Sequence, residues 1–221
     1  MMRFVLSMLA ILTACTNKAA DGIDDDADSG GFLSAEEACI RINGAGEWRT
    51  IDAALDAAEN GDVIYLCPGL YEGRVVIEKS VTIKGPNTGE PAIILGPDTD
   101  SAISVRADSV ALSWLTVESK DVGIFVRDVE NTLLQAVRIN GALGTSIRAV
   151  GSTNLTLQAS QFDATPSTTF MIDELGSATL INNRFDASVG YAVRAASGAT
   201  VTMQDNEIAG TVANADGFNT A

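Results

Sequence analysis

The chain has 221 residues, enough for one domain with a sizeable core, and carries 14 basic against 29 acidic side chains for a formal net charge of −15. That balance argues against a nucleic-acid partner, whose phosphates need a basic face. The sequence contains no histidine, which excludes Ser-His-Asp and Cys-His nucleophiles and histidine-ligated zinc.

Residues 1–14 place Arg3 before an apolar run from Phe4 to Leu12. The run is too short for a transmembrane span of about 20 residues and reads as an export signal. It ends in Leu12-Thr13-Ala14-Cys15, which resembles the lipobox of bacterial lipoproteins. The resemblance implies cleavage before Cys15, lipidation of that cysteine and attachment to a membrane through the acyl anchor. Thr16, being other than Asp, fits sorting to the outer membrane, so the expected location is the bacterial cell envelope, on the periplasmic face or at the cell surface. Residues 15–35 then form the anchor and an acidic, Gly-containing tether that cannot bury a core. The aspartates at 21, 24, 25, 26 and 28 do not follow the EF-hand spacing, so they read as solvated linker. With Cys15 given to lipid, Cys39 and Cys67 remain as an even pair in an exported protein, and a disulfide between them is expected.

Residues 36–221 are expected to be the folded domain. Ile51, Ala54, Leu55 and Ala58 share one face of a short helix. Thr50 can cap its start, Asp52 lies where the helix dipole favours an anion, and Gly61 follows its end. A strand from Val63 to Cys67 and a Pro68-Gly69 turn come next. Residues 86–101 hold a further strand, Ala92 to Leu95, between two Pro/Gly-rich loops.

From residue 102 to 212 one pattern returns five times. Leu112, Leu134, Leu157, Leu180 and Met203 are separated by 22, 23, 23 and 23 residues, and Val117, Ile139, Phe162, Phe185 and Ile208 follow at the same steps. Ile103, Ile124, Ile147, Phe170 and Tyr191 form a second set on a similar beat. Within each unit apolar residues alternate, as strands do with one face inward, and no unit holds a helical run. Units of about 22 residues with short strands and Asp/Ser/Asn/Gly bends predict an all-β fold, a parallel β-helix with a capping helix. A β-sandwich would not return the same residue type at every twenty-third position.

The stretch from Trp48 to Gly85 resembles the N-terminal cap and first coils of pectin-lyase-like right-handed β-helix proteins. The similarity rests on Ala53-Ala54, Gly61-Asp62, Pro68-Gly69-x-Tyr71 and Val81-x-Ile83-x-Gly85, and with the later repeats it spans about residues 46–212. It implies a right-handed solenoid of six or seven coils. It does not specify an activity, since many non-enzymes share that opening. The Asn-Thr-Asp, Gly-His-Gly and Arg-Ile-Lys stretches of polygalacturonase-like hydrolases are missing, and the pectin methylesterase motifs are not found. The looser pattern of calcium-dependent pectate lyases, an acidic cluster with a basic Arg or Lys on neighbouring coils, stays open.

Three sets of residues are candidates for chemistry. Arg106, Arg127 and Arg194, with Asp173, occupy equivalent places after the inward Val105, Val126, Val193 and Ile172. Stacked guanidinium groups could hold an acidic sugar, or they could be tied to Asp108, Asp128 and Glu130. Asp163 and Asp186 on adjacent coils could share a calcium ion or be solvated turn acids. Trp114 stands where other coils carry Ala136, Ala159, Asn182 and Asp205, so it is expected to face outward, against a sugar, a partner or the inserted loop. Asn183 and Asn206 read as a structural ladder at a bend. The function expected is non-catalytic binding of a polysaccharide or another envelope component, with no cofactor. The alternative is a small carbohydrate-active enzyme such as a calcium-dependent polysaccharide lyase.

Overall fold

The computed structural model describes residues 39–163, 165–173, 175–186, 189–214 and 219–220. The export signal, Cys15 and the tether lie outside the described residues. The alternating apolar residues do what their two-residue period requires: Ile103, Val105, Leu112, Val117, Ile124 and Val126 are all fully buried, and the residues between them point outward or into bends.

Three sheets wrap this core. The first opens with antiparallel Ala45–Trp48 and Ile40–Ile42, the latter pairing antiparallel with Val63–Leu66. It continues in parallel through Thr82–Lys84, Ala111–Ser113, Leu133–Gln135, Leu155–Gln158, Ser177–Ile181, Thr200–Gln204 and Asn219–Thr220. The second contains Gly69–Glu72, Ala92–Leu95, Leu115–Glu118, Arg138–Asn140, Gln161–Phe162, Arg184–Phe185 and Glu207–Ile208. The third contains Val75–Ile77, Ile103–Val105, Ile124–Arg127, Ile147–Val150, Phe170–Asp173, Tyr191–Ala195 and Thr211–Asn214. One strand from each sheet makes a coil, and the described residues form seven such coils. The fold is the expected parallel β-helix.

The N-terminal end is closed by α1 (Ile51–Ala57), which buries Ile51, Ala54 and Leu55. Thr50 Oγ1 accepts from the Ala53 N–H at 3.2 Å, as a capping residue should. The other end has an unanticipated partner: the Lys79 ammonium donates to the carbonyls of Leu55, Asp56 and Ala58, each at 2.8 Å. It thereby satisfies acceptors that a helix end leaves open and complements the negative end of the dipole. Asp62 secures the following turn by accepting from the Glu59 N–H and from Asn43 Nδ2, both at 2.7 Å. These bonds hold its carboxyl below the usual range, the Glu59 amide contributing most. Cys39 and Cys67 form the expected disulfide, with Cα atoms 5.4 Å apart.

At the bend from the first sheet to the second, Trp114, Ala136, Ala159, Asn182 and Asp205 all adopt left-handed backbone, with φ between 51° and 53°. Their N–H groups keep the ladder running through the corner, donating to the carbonyls of Gln135, Gln158, Ile181 and Gln204 in the first four cases. Just beyond the bend, Asn206 Oδ1 accepts from the Asn183 N–H and Asn183 Oδ1 from the Ser160 N–H. Ser160 Oγ in turn accepts from the Val137 N–H at 3.1 Å. Asn183 and Asn206 are thus the structural ladder expected from the sequence, extended by Ser160.

One register differs from the sequence reading. Phe170 pairs with Val193, and Met171 with Arg194; Tyr191 is not the inward counterpart of Phe170 and is 38% exposed. The third-sheet step is therefore 23 residues here, as it is between Ile124, Ile147 and Phe170.

Candidate functional site

The outward face of the third sheet gathers more cations than any composition argument would place together in so acidic a chain. Its central column runs Ser104, Phe125, Arg148, Met171 and Arg194 on successive rungs, about 4.8 Å apart. A parallel column, two residues further along each strand, begins with Arg106 and Arg127 and continues with Val150 and Asp173. Arg194 was expected in this second column and is not there; the two-residue register difference moves it beside Met171, whose sulfur lies 3.9 Å from its Nη1.

The arginines are weakly engaged. Arg106 is 3.5 Å from Glu78, Arg127 is 3.9 Å from Asp128 and Arg148 is 3.5 Å from Asp173. Arg106 thus finds an acid on the preceding coil, whereas Asp108 accepts from the Glu130 N–H at 2.7 Å. Phe125 lies between two guanidinium groups, its ring centre 5.4 Å from Arg127 Cζ and 5.9 Å from Arg148 Cζ, within cation–π range. Among the described residues Arg194 has no carboxylate partner. Arg148 and Phe125 had no part in the sequence reading, because outward residues carry no periodic signal; only the rung pairing brings them into line with Arg194.

Asp163 and Asp186 sit elsewhere. They follow Phe162 and Phe185 at the exits of second-sheet strands, across the third sheet from Arg106 and Arg127. Each faces an arginine of its own sheet: Arg138 lies 3.5 Å from Asp163, and Arg184 Nε donates to Asp186 at 3.0 Å. The Asp186 bond, aided by Glu207, raises the Arg184 pKa further. No group of three or more Cys, Asp or Glu side chains among the described residues converges as a metal site would require. A hollow of about 250 Å³ at the first-to-second corner is lined by Gln161, Asn183, Arg184, Asp205 and Glu207, among others.

Trp114 is half-buried on the first-sheet side of the molecule. Its ring is 4.6 Å from the Lys84 ammonium, which also lies 5.9 Å from the ring of Tyr65. The structure thus brings Arg106 and Arg127 together, adds Arg148 on the next rung and Arg194 two rungs beyond it, and puts Trp114 in a separate cluster.

No curated protein matches the chain. A crystal structure of pectin methylesterase in complex with hexasaccharide VII is similar at 12% identity and a TM-score of 0.45. The similarity covers 74% of this chain and 64% of that one, so it spans less than two thirds of the neighbour's length. The family described as right handed beta helix region matches residues 39–219, and the chain belongs to that family.

Proposed function

We propose that the third-sheet face holds an acidic polysaccharide, or a similarly acidic component of the bacterial envelope, without transforming it, and that the protein works from a lipid anchor at Cys15. The observation that carries this reading is the placement of Arg106, Arg127 and Arg148 on three consecutive rungs beside Phe125, with Arg194 two rungs beyond Arg148, past Met171. Exposed ion pairs such as Arg106 with Glu78 contribute little, so a carboxylate-bearing ligand can replace them at small cost. Guanidinium groups favour such a ligand because they bind carboxylates in a planar, bidentate way. The non-catalytic part is supported by the positions of Asp163 and Asp186, which face Arg138 and Arg184 rather than the arginine columns.

The test is retention of the full chain on an immobilised polyuronate, with calcium and with a chelator, while absorbance of unsaturated products is followed. Binding without product is expected. Arg148→Ala combined with Arg194→Ala should weaken it by about tenfold or more, the scale of one lost charge-assisted contact. Calcium-dependent product would establish the polysaccharide-lyase alternative. Absence of retention would remove the acidic-ligand reading.

A further inference from the structure

A second cluster, on the first sheet, is left unused by the arginine face. Tyr65, Lys84 and Ser113 are successive members of one column, and Trp114 follows Ser113 at the corner. Lys84 lies between the rings of Trp114 and Tyr65. Among the described residues it has no carboxylate partner and donates no hydrogen bond to protein. An ammonium presents three donors, and this one lies against two aromatic rings with none of the three used by the described protein.

The backbone supplies an independent observation. Trp114 has φ of 52°, a conformation unfavourable for any residue with a Cβ and rare for a bulky one. Later coils meet the same bend with small or short polar residues, namely Ala136, Ala159, Asn182 and Asp205. In the coil before, Gly85 fits against this corner only because it lacks a Cβ, which would collide with the Trp114 carbonyl oxygen. The indole is not part of the buried core or of the apolar residues packed on it. The left-handed bend recurs in five coils, so what sets this one apart is the large aromatic ring placed there, which the core does not require.

We propose that Tyr65, Lys84 and Trp114 form a binding site for an acidic sugar, with its carboxylate on the Lys84 ammonium and the apolar face of its ring against the indole. The site lies on a different sheet from the arginine columns and stands whether or not those columns bind. Two rungs separate Tyr65 from Trp114, so the platform extends about 10 Å along the solenoid axis, long enough to accept more than a single ring.

The experiment is a titration of tryptophan emission in the full chain with an oligoglucuronate and, separately, with the uncharged glucose oligomer. The chain has two tryptophans, so Trp48 remains as an internal reference. A saturable change with the acidic oligomer, at least tenfold weaker with the neutral one, is the expected result. Trp114→Asn copies the residue that the same bend carries at Asn182, so the corner is retained; this variant should keep its thermal transition and lose the emission response. Lys84→Met, which keeps the apolar stem, should lose the tenfold preference for acid. Arg148→Ala with Arg194→Ala should leave the response intact, separating this site from the arginine face. The proposal is overturned if the wild-type emission is unmoved by the acidic oligomer, or if Lys84→Met titrates like wild type.

Discussion

Just past the bend between the first and second sheets, coils three and four turn Leu115 and Val137 inward, whereas coils five and six place Ser160 and Asn183 there, all four being buried. Two residues further on, the first pair of coils has Val117 and Ile139 and the second pair has Phe162 and Phe185, again all buried. The two changes compensate. Ser160 and Asn183 direct their polar atoms to the corner backbone: Asn183 Nδ2 donates to the Leu157 carbonyl at 2.9 Å, and Asn183 Oδ1 accepts from the Ser160 N–H at 3.0 Å. The volume that Leu115 and Val137 occupy in earlier coils is then filled by larger rings, which stack with centres 4.9 Å apart. A β-helix can therefore admit buried polar groups, provided each finds a partner one rung away and an apolar neighbour grows to keep the interior dense.

The comparison can be broken most severely at the rings. Phe185→Ala should cost about 3–5 kcal/mol, whereas Ile139→Val in the same column should cost about 0.5–1.5 kcal/mol; denaturant unfolding of both variants checks this. Asn183→Val transfers the residue type of coil four into coil six. It leaves the Ser160 N–H buried without its partner, removes the second donor to the Leu157 carbonyl, and should cost about 1–3 kcal/mol. A variant as stable as wild type would mean that the ladder contributes nothing beyond shape.

A smaller effect, of opposite sign, is expected at the bend itself. Ala159→Gly removes a Cβ from left-handed backbone with φ of 51° and should raise stability by about 0.5–1 kcal/mol in the same unfolding measurement. Asn182→Gly should change it less, because Asn tolerates that conformation.

An effect confined to alkaline pH belongs to the first coil. Tyr71 is buried and its hydroxyl donates to the Cys67 carbonyl at 2.9 Å; burial pushes its pKa up to about 12 from 10.0. Because the folded value is the higher one, its contribution is fully present below pH 10 and is lost as the unfolded chain ionises and pH rises towards 12. Tyr71→Phe should flatten that alkaline limb while leaving the melting profile of the later coils unaltered.

The inward columns were legible in the sequence because burial on one face imposes a period of two, and stacking imposes a period of 23 in the later coils. The disulfide, the helix cap and the Asn ladder followed from local chemistry. The Tyr191 position was misjudged because an aromatic residue at nearly the right interval looks like core; the rung pairing instead brings Val193 inward and leaves Tyr191 exposed. That two-residue difference carried Arg194 into the wrong column. Arg148, Phe125 and Lys84 were missed for a common reason. Solvent-facing residues need not repeat, so their proximity is a property of register and not of composition. Lys79 was equally hidden, since its three acceptors lie more than 20 residues away.

The constant 23-residue pairing from Ile124 through Ile147 and Phe170 to Val193 has a consequence for how such a molecule can change. Its length is counted in whole rungs, so an in-frame duplication of one 23-residue segment would lengthen the arginine face by one step and renew each neighbour's contacts in kind. A duplication of another size would need a bend to absorb the difference, as happens between Ile83 and Leu112, which pair although 29 residues apart. The exposed face thus works as a ruler whose graduations are set by the interior, and genetic change can add or remove marks while leaving their spacing fixed.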